Sequence, residues 1–190
     1  MELTPEKIEG VWLAQYPVWS DDRGTFREWF KSSEISSVTG IALNVEQANI
    51  SISHQGVVRG IHYSLAPQGQ AKWVTCIAGS IIDVIVDIRP NSRTYGQHIA
   101  VHLNAGDGRA VLIASGLGHG FISLENNTAI SYLLSSPYSP KEEFEINPMD
   151  DALGINWVGQ LTEGVEVILS PKDANAPTLA EQSKNGNLPL

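Results

Sequence analysis

The chain has 190 residues, with 12 Lys and Arg against 21 Asp and Glu, a net charge of −9. That balance argues against sequence-independent nucleic-acid binding and against an anionic membrane surface, and 42 % hydrophobic with 17 % charged residues is a globular composition. One cysteine, Cys76, excludes an intramolecular disulfide and a cysteine-based zinc site, and no apolar run reaches the ~18 residues of a membrane helix.

The expectation is one domain over 1–190 with a C-terminal tail at 178–190. The N-terminus MELTPEKIEG lacks the basic and apolar regions of a signal peptide, so a cytoplasmic protein is expected. Taken in order, short β-branched or aromatic runs predict strands at 11–19, 25–30, 43–53, 57–64, 71–78, 80–88, 97–103, 109–114, 119–124, 128–135 and 165–169. Gly, Pro, Asn and Asp separate them. One helical turn is expected near 32–38 and another near 177–184. So many short strands at close spacing make an all-β sandwich or barrel with short peripheral helices.

Two strand faces carry polar residues. Gln47, Asn49, Ser51 and Ser53 alternate with Ile50 and Ile52, so four uncharged polar side chains share one face. This is an ordinary exposed face or a row of donors and acceptors for a polar ligand. Gly79-Ser80 predicts a two-residue hairpin that pairs Cys76 with Asp83 and Lys72 with Asp87. Lys72, Val74, Cys76, Asp83, Ile85 and Asp87 then share one face, and Ile82, Val84, Val86 and Ile88 fill the other. The mixed face suits a pocket wall or a solvated surface.

The histidines are His54, His62, His98, His102 and His119. His62 is followed by Tyr63-Ser64, so no His-x-His metal pair forms. His98 and His102 share a strand face but lie ~13 Å apart, too far for one metal. His62 follows Arg59 by three residues, and the two share a face only if Gly60 makes a bulge. His119 sits in the Gly-rich GLGHGF, where backbone can approach a ligand. Tyr132 and Tyr138 are packing residues or, through the phenol, general acids.

Six segments occur in order: DDRGTFREWF (21–30), QANISISHQGVVRGIHY (47–63), QAKWVTCIAGSIIDVIVDIRPNSRTYGQ (70–97), GLGHGF (116–121), SYLLSSPYSPKEE (131–143) and LSPKDANAP (169–177). Together they resemble the dTDP-4-dehydrorhamnose 3,5-epimerase family, the deoxysugar epimerase branch of the cupins, from about Gly10 to Thr178. The resemblance implies a double-stranded β-helix, a jelly-roll barrel. It also implies a homodimer with exchanged strands, no metal and no cofactor. It assigns His62 as base, Asp173 as its partner, Tyr132 as acid on the opposite face and Lys72 to the reacting carbonyl. Tyr138 resembles the residue that stacks on the thymine. Arg23, Glu28, Gln47, Asn49, Arg59, His119, Glu143 and Lys172 match substrate-binding positions. Where the family usually has Tyr-Lys the chain has Tyr132-Leu133, and where it often has Tyr-Tyr the chain has Pro137-Tyr138.

The residue types suit that chemistry. Inverting a carbon beside a ketone removes a proton from one face and returns one to the other. A neutral His serves as base, a buried Asp fixes its tautomer, and a separate acid is needed opposite. Arg23, Arg59 and Lys172 would meet a diphosphate despite the net charge of −9. The expected reaction is epimerisation at C3 and C5 of dTDP-4-dehydro-6-deoxy-D-glucose, in dTDP-L-rhamnose or related deoxysugar synthesis. The alternatives are a single-carbon epimerase of a secondary-metabolite pathway and a non-catalytic cupin that binds a sugar nucleotide.

Overall fold

A computed structural model describes residues 1–67 and 69–189. Among these, β1 (Glu2–Pro5), β2 (Val11–Gln15), β10 (Arg109–Ile113), β7 (Lys72–Ala78), β12 (Thr128–Leu134) and β5 (Gln47–Ser53) form a six-stranded antiparallel sheet in the order β1-β2-β10-β7-β12-β5. A second sheet has the order β13-β6-β11-β8-β9, from β13 (Glu143–Glu145), β6 (Val58–Ser64), β11 (Leu117–Ser123), β8 (Ser80–Asp87) and β9 (His98–Asn104). The hairpin β3 (Trp19–Asp21) and β4 (Gly24–Phe26) stands apart. The fold is the expected all-β jelly roll with few short helices.

Three apolar clusters build it. Val74, Cys76, Ile81, Ile85, Phe121 and Ile130 fill the space between the sheets. Ala14, Trp73, Leu112 and Leu133 back the six-stranded sheet and meet Ile35 of α1 (Ser32–Thr39). Val84, Val86, Ile88 and Ile122 back the five-stranded sheet and meet Trp157 and Leu179. Burying each large side chain contributes about 1.5–3 kcal/mol. The helical turn expected near 177–184 is α3 (Leu179–Lys184), whose Thr178 and Glu181 form a capping box, and the segment expected as a tail packs down, with Leu179, Gln182 and Leu188 buried.

Alternation was readable where pairing was not. β7 and β8 do not form the expected hairpin: β7 pairs with β10 and β12, and β8 with β9 and β11. Gly79, at φ +69, packs so close to β12 that a Cβ would lie 2.4 Å from Thr128 Oγ1. The chain therefore changes sheets there instead of folding back. The two faces survive the correction, because facing depends on each strand alone. β1, β13 and α2 (Pro171–Ala174) were not anticipated, and 165–169 contributes only a bridge from Ile168 to Val57.

Gly60 makes the bulge that the Arg59 and His62 spacing requires. Phe121 pairs with Arg59 and His119 with His62, so three steps on β6 match two on β11. Gly60 has φ +120, and a Cβ there would lie 2.6 Å from Gly120 Cα and 2.7 Å from the His119 carbonyl oxygen. Gly60→Ala should therefore cost about 3 kcal/mol through strain and collision, read as a lower denaturant midpoint at unchanged slope.

Candidate active site

A cavity of about 210 Å³ opens between the sheets. The six-stranded sheet supplies Gln47 and Asn49 from β5, Lys72 from β7 and Tyr132 from β12; the other supplies His62 from β6 and Glu143 from β13. Tyr138 comes from the loop after β12, and Lys172 from α2. The polar face of β5 is thus the inner one. β5 is an edge strand, and its other face leaves Ile50 and Ile52 66 % and 64 % exposed.

His62 meets Asp173 through Nε2 and Oδ1 at 2.7 Å. The carboxylate accepts an Nε2 proton, which leaves the Nδ1 lone pair as the basic atom. The His62 side chain is 40 % exposed and that of Asp173 only 6 %, so a reachable base rests on a shielded partner. LSPKD explains how the partner is set. Ser170 caps α2, accepting the Asp173 N–H at 3.0 Å and donating to Asp173 Oδ2 at 2.8 Å, with Pro171 in the first turn. Burial pushes the Asp173 carboxyl up, but hydrogen bonds from His62 and Ser170 more than offset it and leave it below the ordinary value.

Lys72 is buried, and its Nζ donates to the His62 carbonyl at 3.3 Å. Burial lowers its pKa to about 8, against the upward pull of Glu143 and Asp83. It is a cation at neutral pH that few waters screen, suited to an oxygen gaining negative charge. At the mouth, Gln47 Nε2 donates to Asn49 Oδ1 at 2.9 Å, while Gln47 Oε1 accepts the Tyr138 N–H at 2.8 Å. Lys172 pairs with Glu145 at 3.0 Å.

Four expected site residues lie off the cavity. Arg23, in the β3–β4 hairpin, is exposed and pairs with Asp21. Glu28 pairs with Lys31 at 3.1 Å. Arg59 donates from Nε to Ser53 Oγ at 3.1 Å, on the inner face of β5. His119 is buried against Asp83, Nε2 to Oδ1 at 2.7 Å. Gln70, Leu134 and Phe144 line the cavity without having been singled out. Gln70, two before Lys72, was findable from alternation; it donates to Glu143 Oε1 at 3.2 Å. Leu133, where the family usually has Lys, packs with Trp73 on the outer face and does not line the cavity. His98 and His102 lie on β9, away from the cavity, and among the described residues no group of three His, Cys, Asp or Glu could hold a metal ion.

The arrangement places a carboxylate-backed imidazole and a phenol on different sheets of one slot, with a buried ammonium between polar walls. A ring held there would meet a base on one side and an acid on the other.

Known proteins match this chain along nearly its whole length. The family model described as dTDP-4-dehydrorhamnose 3,5-epimerase matches residues 5–181. The dTDP-4-dehydrorhamnose 3,5-epimerase of Mycolicibacterium smegmatis is 43 % identical over 182 residues, 96 % of this chain and 88 % of that protein. A dTDP-4-dehydro-6-deoxyglucose 3-epimerase from a Streptomyces species is 42 % identical over 185 residues, 97 % of this chain and 92 % of that one. The solved structure of the rmlC epimerase of Mycobacterium tuberculosis superposes with a TM-score of 0.95 at 38 % identity, covering 100 % of this chain and 94 % of that one.

Proposed function

The chain belongs to the dTDP-4-dehydrorhamnose 3,5-epimerase family and is an isomerase, and we propose that it inverts C3 and C5 of dTDP-4-dehydro-6-deoxy-D-glucose to give dTDP-4-dehydro-L-rhamnose. The supporting observation is His62, backed by buried Asp173, sharing one cavity with Tyr132 of the facing sheet. His62 Nδ1 takes the proton from the carbon next to the C4 ketone. The electron pair moves onto the ketone oxygen, where Lys72 offers its charge. Tyr132 then returns a proton to the opposite face, and solvent restores both groups. Gln47, Asn49 and Tyr138 would hold the base and Lys172 the diphosphate. A protein that only binds the nucleotide sugar has no use for a carboxylate-backed base facing a phenol.

A single-carbon reading draws on the 3-epimerase relative, as similar to this chain as the 3,5-epimerase is. Turnover of the dTDP-ketosugar in D₂O separates the two. Loss of both the H3 and H5 signals is expected. Loss of one alone establishes the single-carbon reaction, and loss of neither from folded enzyme defeats the proposal.

The active form we propose is a homodimer with exchanged strands. Arg23 and Glu28 cannot serve their own chain's cavity from where they lie, whereas the β5 edge and the β3–β4 hairpin expose Ile50, Ile52, Trp19 and Phe26. A second copy on this edge would cover them and bring its own Arg23 and Glu28 to the neighbouring cavity. The double variant Ile50→Glu/Ile52→Glu should sediment as a folded monomer with at least tenfold weaker substrate binding; a dimer of unchanged affinity would refute it.

A further inference from the structure

His62 and His119 are direct register partners on β6 and β11, and each rests on its own carboxylate at 2.7 Å. The two pairs differ in their surroundings. Asp173 comes from α2 and has its second oxygen filled by Ser170. Asp83 comes from β8, is fully buried, and its Oδ2 has no hydrogen-bond partner. A buried carboxylate with one oxygen unfilled is expensive unless a positive charge stands near it. The buried cation that Asp83 favours is Lys72. Its ammonium uses one hydrogen on the His62 carbonyl, and it feels the charge of Asp83.

We infer that Asp83 is a positioning residue of the reaction: it holds His119 with Nε2 as donor and places a fixed negative charge behind Lys72, out of reach of the cavity. The inference rests on the epimerase reading and adds a residue to it. With its Nε2 proton directed at Asp83, the His119 ring is fixed in one tautomer beside its register partner His62, one strand away from the base. The second effect falls on Lys72. From β13 it faces Glu143, from β6 His62, from β12 Tyr132 and from α2 Lys172, all lining the same cavity; Asp83 on β8, with His119 of β11 against it, lies behind. Glu143 and Asp83 both favour the ammonium, so removing Asp83 leaves Glu143 alone against burial.

Asp83→Asn separates the two effects, since an amide oxygen still accepts from His119 while the charge is gone. The expected result is a kcat at least tenfold lower, with KM and the affinity for dTDP within about threefold. The alkaline limb of the kcat profile should move down by about one pH unit. Asp83→Leu removes both effects and should be slower still. Folded Asp83→Asn with wild-type kcat and an unmoved alkaline limb overturns the inference.

A second readout needs no Asp83 variant and no substrate. In wild-type protein with ¹⁵N-labelled histidine, the His119 ring, assigned by its loss in His119→Gln, should appear as the Nε2–H form. An Nδ1–H ring refutes the contact on which the proposal is built. Wild-type protein that turns over no dTDP-ketosugar would instead sink the epimerase reading, and the ring tautomer would still decide whether Asp83 holds His119.

Discussion

His62→Ala should lower turnover by about a thousandfold or more while leaving the fold intact. General base catalysis contributes about 10²–10⁴-fold, and among the described residues no other imidazole lines this cavity to replace it. His62 is 40 % exposed, so truncation opens mainly onto the cavity and leaves no large sealed void. The partner Asp173 stays hydrogen-bonded to Ser170 Oγ and the α2 backbone arrangement survives. The variant should stay folded, melting a few degrees lower because Asp173 Oδ1 loses its donor, and bind dTDP with unchanged affinity, which isolates the loss of turnover to chemistry. More than a few per cent of residual turnover in folded protein would remove His62 from the role of base.

Tyr132→Phe should fail differently. The phenol is the proton donor on the sheet opposite His62, and the substitution removes one oxygen from a ring that packs against the inter-sheet cluster. Proton abstraction by His62 persists. The enolate then recaptures a proton from the same face, and in D₂O that proton is deuterium. The expected outcome is substrate labelled with retained configuration, and epimerised product formed at least a hundredfold more slowly. NMR of the recovered sugar reads both. Epimerised product at the wild-type rate would mean that another group supplies the second proton.

Much of this site was legible in the sequence because strands alternate. Gln47 and Asn49 turn inward together, and Lys72 and Asp83 lie on inner faces even though their strands never pair. A side chain's facing is set within three or four residues, whereas pairing depends on what a turn packs against, here Gly79 against Thr128. The His62–Asp173 contact spans 111 residues, and no periodicity points to it; a family resemblance did. Arg23 and Glu28 illustrate the opposite limit, since one folded chain does not carry them to its own cavity. Asp83 is legible only as a member of a mixed strand face, because a carboxylate in the apolar run IIDVIVDI also reads as one end of an exposed ion pair, and its partner His119 lies 36 residues on.

The two strands that bear His62, the proposed proton acceptor, and Tyr132, the proposed donor, β6 and β12, belong to different sheets and share no ladder. Packed sheets stand about 10 Å apart, a distance set by the side chains between them. The gap across which a ring would meet both groups is therefore gauged by wall thickness, through Ile85, Phe121 and Ile130, none of which lines the cavity. Drift in the volume of those residues would alter which stereocentres are inverted while every reacting side chain stayed in place, a route by which one barrel can diversify its sugars without rebuilding its chemistry.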